Sequence, residues 1–129
     1  MNRRHQAIWL IALGLLCIPF IGCGDPAAKS RNNMHEILLT ILNHQSKLNT
    51  KEWPDSLDEI KEDVGGEAAL AKLLANPITG NSPGYEYVKP ADTKINQSRT
   101  VILYQLRNKQ RDLSLQVGYA DGRVGPFEP

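Results

Sequence analysis

Cysteine is scarce in this 129-residue chain, and both copies, Cys17 and Cys23, fall near its start. From Gly24 onward no thiol remains, which excludes a disulfide framework, a cysteine-ligated zinc site and a cysteine nucleophile there. Aromatic side chains make up only 6% of the sequence, too few for the stacking platforms that hold single-stranded nucleic acid. Charge of one sign is lacking as well. The 15 basic and 14 acidic residues nearly cancel, and without a basic cluster there is no electrostatic case for a nucleic-acid partner. No apolar run reaches the roughly 20 residues that a bilayer span needs. There is no internal repeat.

The longest apolar run, Ala7 to Ile21, follows Arg3 and Arg4 and ends in Gly22-Cys23. A basic start, a short apolar stretch and a small residue form the layout of a secretory leader. Gly14 and Pro19 loosen a helix there, which suits a cleavable site better than a spanning helix. With Cys23 directly after the small residue, the segment resembles the signal peptide of bacterial lipoproteins. That resemblance implies cleavage before Cys23, a diacylglycerol thioether on Cys23 and acylation of the new amino terminus. Phe20 departs from the Leu usual three places before the cysteine. The positions after Arg3-Arg4 do not follow the twin-arginine pattern, so ordinary secretion is expected. The alternative is an uncleaved signal anchor with Cys23 buried at its end.

A single acyl chain gives only marginal attachment, whereas a triacylated cysteine passes the two-signal threshold for stable anchoring. The expected location is therefore extracytoplasmic and membrane-anchored. Gly24, rather than Asp, after the cysteine favours the outer membrane by resemblance to lipoprotein sorting. Removal of residues 1–22 takes Arg3 and Arg4 with it and leaves 13 basic against 14 acidic residues in one small domain.

The expected organisation is a leader at 1–22, a lipidated polar tether at 23–31, and a domain at 32–129. Ser30 or Asn32 can cap a first helix, roughly 32 to 48. Its apolar residues Met34, Ile37, Leu38, Ile41, Leu42 and Leu48 follow the spacing of one helical face. Pro54 starts a second, short helix, with Ser56 and Glu59 in the pattern of a capping box and Val64-Gly65-Gly66 ending it. A third runs from Glu67 to Ala75 and stops at Asn76-Pro77. After the turn formers at 79–84, strands are expected at 85–88, 100–106 and 113–119, with Asp121-Gly122 as a two-residue hairpin turn. Helices followed by an antiparallel meander of three to four strands predict an α+β domain.

Three islands stand out: Trp-Pro-Asp-Ser-Leu-Asp-Glu-Ile at 53–60, Asn-Pro-Ile-Thr-Gly at 76–80 leading into Gly-Tyr-Glu-Tyr-Val at 84–88, and Tyr-Ala-Asp-Gly-Arg-Val at 119–124. Together they resemble the globular half of type II secretion pseudopilins and their prepilin-like relatives, over about residues 33 to 126. The resemblance implies a pseudopilin-like globular fold. It does not extend to the prepilin peptidase site or the apolar stalk helix, since Gly24 is followed by Asp25 and the helix after it is amphipathic. A filament role is therefore not implied. Arg123 stands where relatives carry His, and Arg111 where one group of relatives carries another.

Candidate chemistry is sparse. His35 and His44 do not share the i, i+4 spacing of a helical metal pair and read as solvent-facing. The acidic run Asp55, Asp58, Glu59, Glu62, Asp63 and Glu67 lacks the ligand alternation of a calcium loop. Some pseudopilins bind calcium in a sheet-side loop, whose counterpart at 90–98 offers only Asp92 and Asn96. Ser56, Ser98 and Ser114 have no nucleophile-elbow context. Tyr85, Tyr87, Tyr104 and Tyr119 are expected to cover the helix, or to give a docking face. No catalytic residue, cofactor, metal or small-molecule substrate is expected, and Cys23 is the one functional residue predicted. The favoured reading is a non-enzymatic interaction or structural domain with a protein partner in the envelope. Its rivals are an envelope-assembly adaptor serving outer-membrane machinery and a small-ligand-binding lipoprotein.

Overall fold

The computed structural model describes residues 24–129. The predicted leader and Cys23 lie outside the described residues. Helix α1, Pro26–Lys47, opens the domain. Asp25 is its N-cap, with extended backbone and a carboxylate that accepts the Ala27 N–H at 3.0 Å. Pro26 follows at the first turn, where a missing N–H costs nothing. The polar tether and the cap at Ser30 or Asn32 are thereby corrected. Residues 26–31 are helical because Asp-Pro is a cap-and-first-turn signal, and Ala27, Ala28 and Lys29 are good helix formers. Ser30, expected at the end of the tether or as a cap, is fully buried within the helix.

The apolar stripe of α1 follows its predicted spacing from Met34 to Leu42, the last of these partly buried, but not to Leu48, which caps the helix and is 59% exposed. Met34, Ile37, Leu38 and Ile41 are buried against the sheet. The helix ends at Lys47, and Asn49 takes a left-handed φ of 51° just beyond the cap. The second helical segment is split into a 3₁₀ turn, Leu57–Ile60, and a single turn α2, Lys61–Val64. The Glu59 carboxylate reaches back to accept the N–H groups of Asp55 and Ser56. Gly65, at φ 109°, stops α2. Helix α3, Glu67–Leu73, then buries Leu70 and Leu73.

Five strands follow: β1 Tyr85–Tyr87, β2 Val101–Arg107, β3 Gln110–Arg111, β4 Val117–Tyr119 and β5 Val124–Gly125. All pairings are antiparallel, in the order β1-β2-β4-β5, with β3 on the end of β2. The molecule is thus α+β, as the element order predicts. Two turns differ from expectation. The β2–β3 hairpin is the one with two left-handed residues, Asn108 (φ 52°) and Lys109 (φ 63°). At the β4–β5 turn only Gly122 has positive φ, 93°. Gly122 N–H donates to Tyr119 O at 3.0 Å and Tyr119 N–H to Arg123 O at 2.8 Å, which makes a three-residue turn with a bulge rather than a two-residue one. Residues 113–115 turn about Asp112 instead of extending β4, because its carboxylate accepts both the N–H and the hydroxyl of Ser114.

The direction of α1 on the sheet follows from three contacts. Ser30 bonds Gln105, Leu38 fills the space above Gly118, and Leu42 lies beside Gly122. The start of α1 therefore shares one end of the molecule with the 107–116 loops. Its far end shares the other with the 120–123 turn and α2.

Candidate functional site

Only one residue, Gly24, separates Cys23 from the cap of α1, so the start of the domain is where an anchor on Cys23 would act. Gly24 is exposed with nothing within 4 Å of the place a Cβ would take. Within two helical turns the chain enters a buried polar cluster. Ser30 Oγ donates to Gln105 Oε1 at 2.8 Å and stands 2.7 Å from the Tyr85 hydroxyl. Because its single hydrogen goes to Gln105, the Tyr85 O–H is the donor in the second bond. Asn76 Nδ2 donates to the same Gln105 oxygen at 3.0 Å, and Gln105 Nε2 donates to Gln116 O at 3.0 Å. Asn76 Oδ1 accepts the Ile78 N–H at 2.9 Å, which rounds off the turn after α3. Burial pushes the Tyr85 hydroxyl pKa up, against the pull of its Ser30 bond. The cluster ties α1, the loop after α3, β1, β2 and the approach to β4 at one point. Every buried side-chain nitrogen and oxygen among the described residues has a partner.

Beside this cluster an open groove of about 510 Å³ runs between α1 and α3. Lys29, Asn33 and Glu36 line it from α1, and Lys72 and Leu73 from α3. Its walls mix one carboxylate, two ammonium groups, the amides of Asn33 and Asn76 and apolar side chains, with no buried polar group among the described residues left over to aim at a ligand.

The outer face of the sheet carries a second arrangement. Arg111 forks onto Glu86, with bonds of 2.8 and 2.9 Å, while its guanidinium lies 4.2 Å from the Tyr104 ring centroid. The Arg111 bonds hold the Glu86 carboxyl below its ordinary pKa. Arg123 stacks in the same way, 4.1 Å from the Tyr119 centroid.

The other residues weighed from the sequence are not brought together. His44 Nδ1 pairs with Asp63 at 2.8 Å, which Lys47 also meets at 3.3 Å, so this histidine joins α1 to α2 instead of facing solvent freely. Asp92 Oδ1 accepts the Lys94 N–H and Asn96 Oδ1 the Ser98 hydroxyl, both local turn bonds. Asp121 accepts the Arg123 N–H at 3.0 Å, again a turn role. No three His, Cys, Asp or Glu side chains among the described residues are placed to hold one metal ion. Tyr85 and Tyr119 are buried, whereas Tyr104 lies half-buried under Arg111. The Ser30–Asn76–Gln105 cluster was missed by sequence reasoning. Its only local signal was the Asp-Pro cap that makes Ser30 helical. No protein-family model, no curated protein and no solved structure matches the chain.

Proposed function

We propose that this chain is a lipid-anchored cell-envelope protein whose pseudopilin-like domain is a non-enzymatic interaction or structural module. The observation that carries the reading is Gly22-Cys23 at the end of a leader-like run, one residue before the capped start of a folded helix. A thioether on Cys23 would hold the domain against the bilayer with almost no slack. One feature of the fold supports a module that does not polymerise as a pilin does: the apolar stripe of α1 is committed to its own sheet. The buried polar side chains are likewise committed to one another, which suits a scaffold.

The test is direct. Cys23→Ser leaves an unprocessed precursor that takes up no labelled fatty acid, read by gel shift and by intact mass of the native protein. Unchanged maturation of the variant, or a free thiol at position 23 with residues 1–22 attached, overturns the anchoring. Pulldown of the anchored protein then separates secretion components from outer-membrane assembly components as partners.

A further inference from the structure

The charges of the domain are sorted between its two ends. The start of α1 and the loops around β3, residues 25–31 and 105–116, hold five basic and two acidic residues. Ser30 to Gln105 at 2.8 Å and Arg31 Nε to Gln116 at 3.3 Å show that these segments share one end of the molecule. Arg107 is neutralised by Asp112 and Arg111 by Glu86, but Lys29, Arg31 and Lys109 meet no acidic partner among the described residues. The positive end of the α1 dipole points the same way. At the other end, residues 51–67 hold seven acidic and two basic residues. The His44–Asp63 and Lys47–Asp63 pairs fasten that segment to the last turns of α1. Between the two ends lie the 22 residues of α1, about 33 Å at about 1.5 Å per residue.

The basic end also carries an exposed apolar side chain. Leu113 is 49% exposed in the loop after β3; among the described residues Leu39 and Leu48 are exposed as well, Leu48 at the far end of α1. Leu113 follows Lys109 and Arg111 in sequence. An exposed Leu within a basic loop is the composition of a surface that meets anionic lipid, where cations sit at the headgroups and the apolar side chain enters the acyl boundary.

We infer that the end formed by the start of α1 and the 107–116 loops is a seat for an anionic phospholipid surface. The inference rests on the anchoring proposed above, since Cys23 would deliver this end to the bilayer. The basic end is drawn down and the acidic end is repelled, so the domain stands with residues 51–67 displayed away from the membrane.

Hydrogen–deuterium exchange tests this on the full native protein, reconstituted into vesicles of phosphatidylcholine alone or with added phosphatidylglycerol. With phosphatidylglycerol, exchange across 108–116 slows about fivefold for each basic residue seated, while 51–67 is unchanged. Raised salt reverses the slowing. The double variant Lys29→Gln, Lys109→Asn weakens it, and Leu113→Ser weakens it without changing its salt dependence. Asparagine is chosen at 109 because the position has a left-handed φ of 63°. Equal exchange in the two vesicles overturns the proposal. So does protection of 51–67 instead, or protection of 108–116 that appears only in native membranes and therefore comes from a protein partner. Intact mass of the same sample reads the anchor separately. An uncleaved leader still holds the chain on the vesicle, so failure of the thioether and failure of the lipid seat are distinguishable.

Discussion

Gly84 has no room for a side chain. A Cβ there would lie 2.2 Å from Asn76 Cβ and 2.6 Å from Asn81 O. The crowding follows from the bonds Gly84 makes: its N–H donates to Leu74 O at 2.7 Å, and its carbonyl accepts from Leu106 N–H at 2.9 Å and Asn76 Nδ2 at 3.3 Å. Backbone is pressed on backbone, with no flexible side chain to give way. Gly84→Ala is therefore expected to cost about 3 kcal/mol, the upper part of the range for overpacking, read as a lowered midpoint in urea unfolding. Gly24→Ala, in open space, is the control and should leave the midpoint unchanged. The sequence shows a run of turn formers at 79–84, and that much of the local structure is legible. Which of its glycines is squeezed depends on Asn76 and Leu106, neither of them a neighbour in sequence.

Elements joined across distance carry the next consequence. α1 and α2 are linked at the acidic end by Asp63, which takes a bond from His44 at 2.8 Å and one from Lys47 at 3.3 Å. The His44 bond first, and the Lys47 bond and charge after it, hold the Asp63 carboxyl below its ordinary 3.8. A lowered folded pKa means that the ionised form is the one the fold favours. Its contribution is present above the unfolded value and lost as pH falls through the folded value. Asp63→Asn should thus be less stable than the parent at neutral pH, with the gap closing below pH 3.8, as thermal unfolding across a pH series would show. A gap that persists at the acid end would mean that packing, not charge, is what Asp63 supplies. At this scale the helices, the central strand β2 and the antiparallel pairing were readable from period and punctuation. The turns were read less well. Asp121-Gly122 matches a two-residue hairpin in composition, yet Asp121 keeps ordinary backbone and its carboxylate bonds Arg123 N–H. The turn with two left-handed residues falls instead at Asn108-Lys109, where a lysine conceals it.

For the molecule as a whole, the boundary of the folded unit separates what the sequence shows from what it hides. Composition marks 24–30 as a polar tether, because Gly, Asp, Pro and Ser are all loop residues when taken singly. In order they are a cap, a first-turn proline and a buried hydroxyl. That hydroxyl acts only through Tyr85 and Gln105, 55 and 75 residues away. Such a partnership has no local signature, so the polar cluster beside the start of α1 is visible only in the fold. The domain limit can be tested by comparing the chain started at Gly24 with one started at Asn32. The shorter chain loses the Asp25 cap, worth about 1 kcal/mol. It also leaves Tyr85 and Gln105 without Ser30, about 1–3 kcal/mol for buried groups that lose a partner. With about 4–8 °C per kcal/mol in a domain of this size, the expected fall in melting temperature is about 10–30 °C. Restoring the first turn with Ser30→Ala in the longer chain should recover the cap's share and not the cluster's. Equal melting of the chains from 24 and from 32 would return residues 24–31 to the status of a tether and loosen the hold of any anchor on the domain.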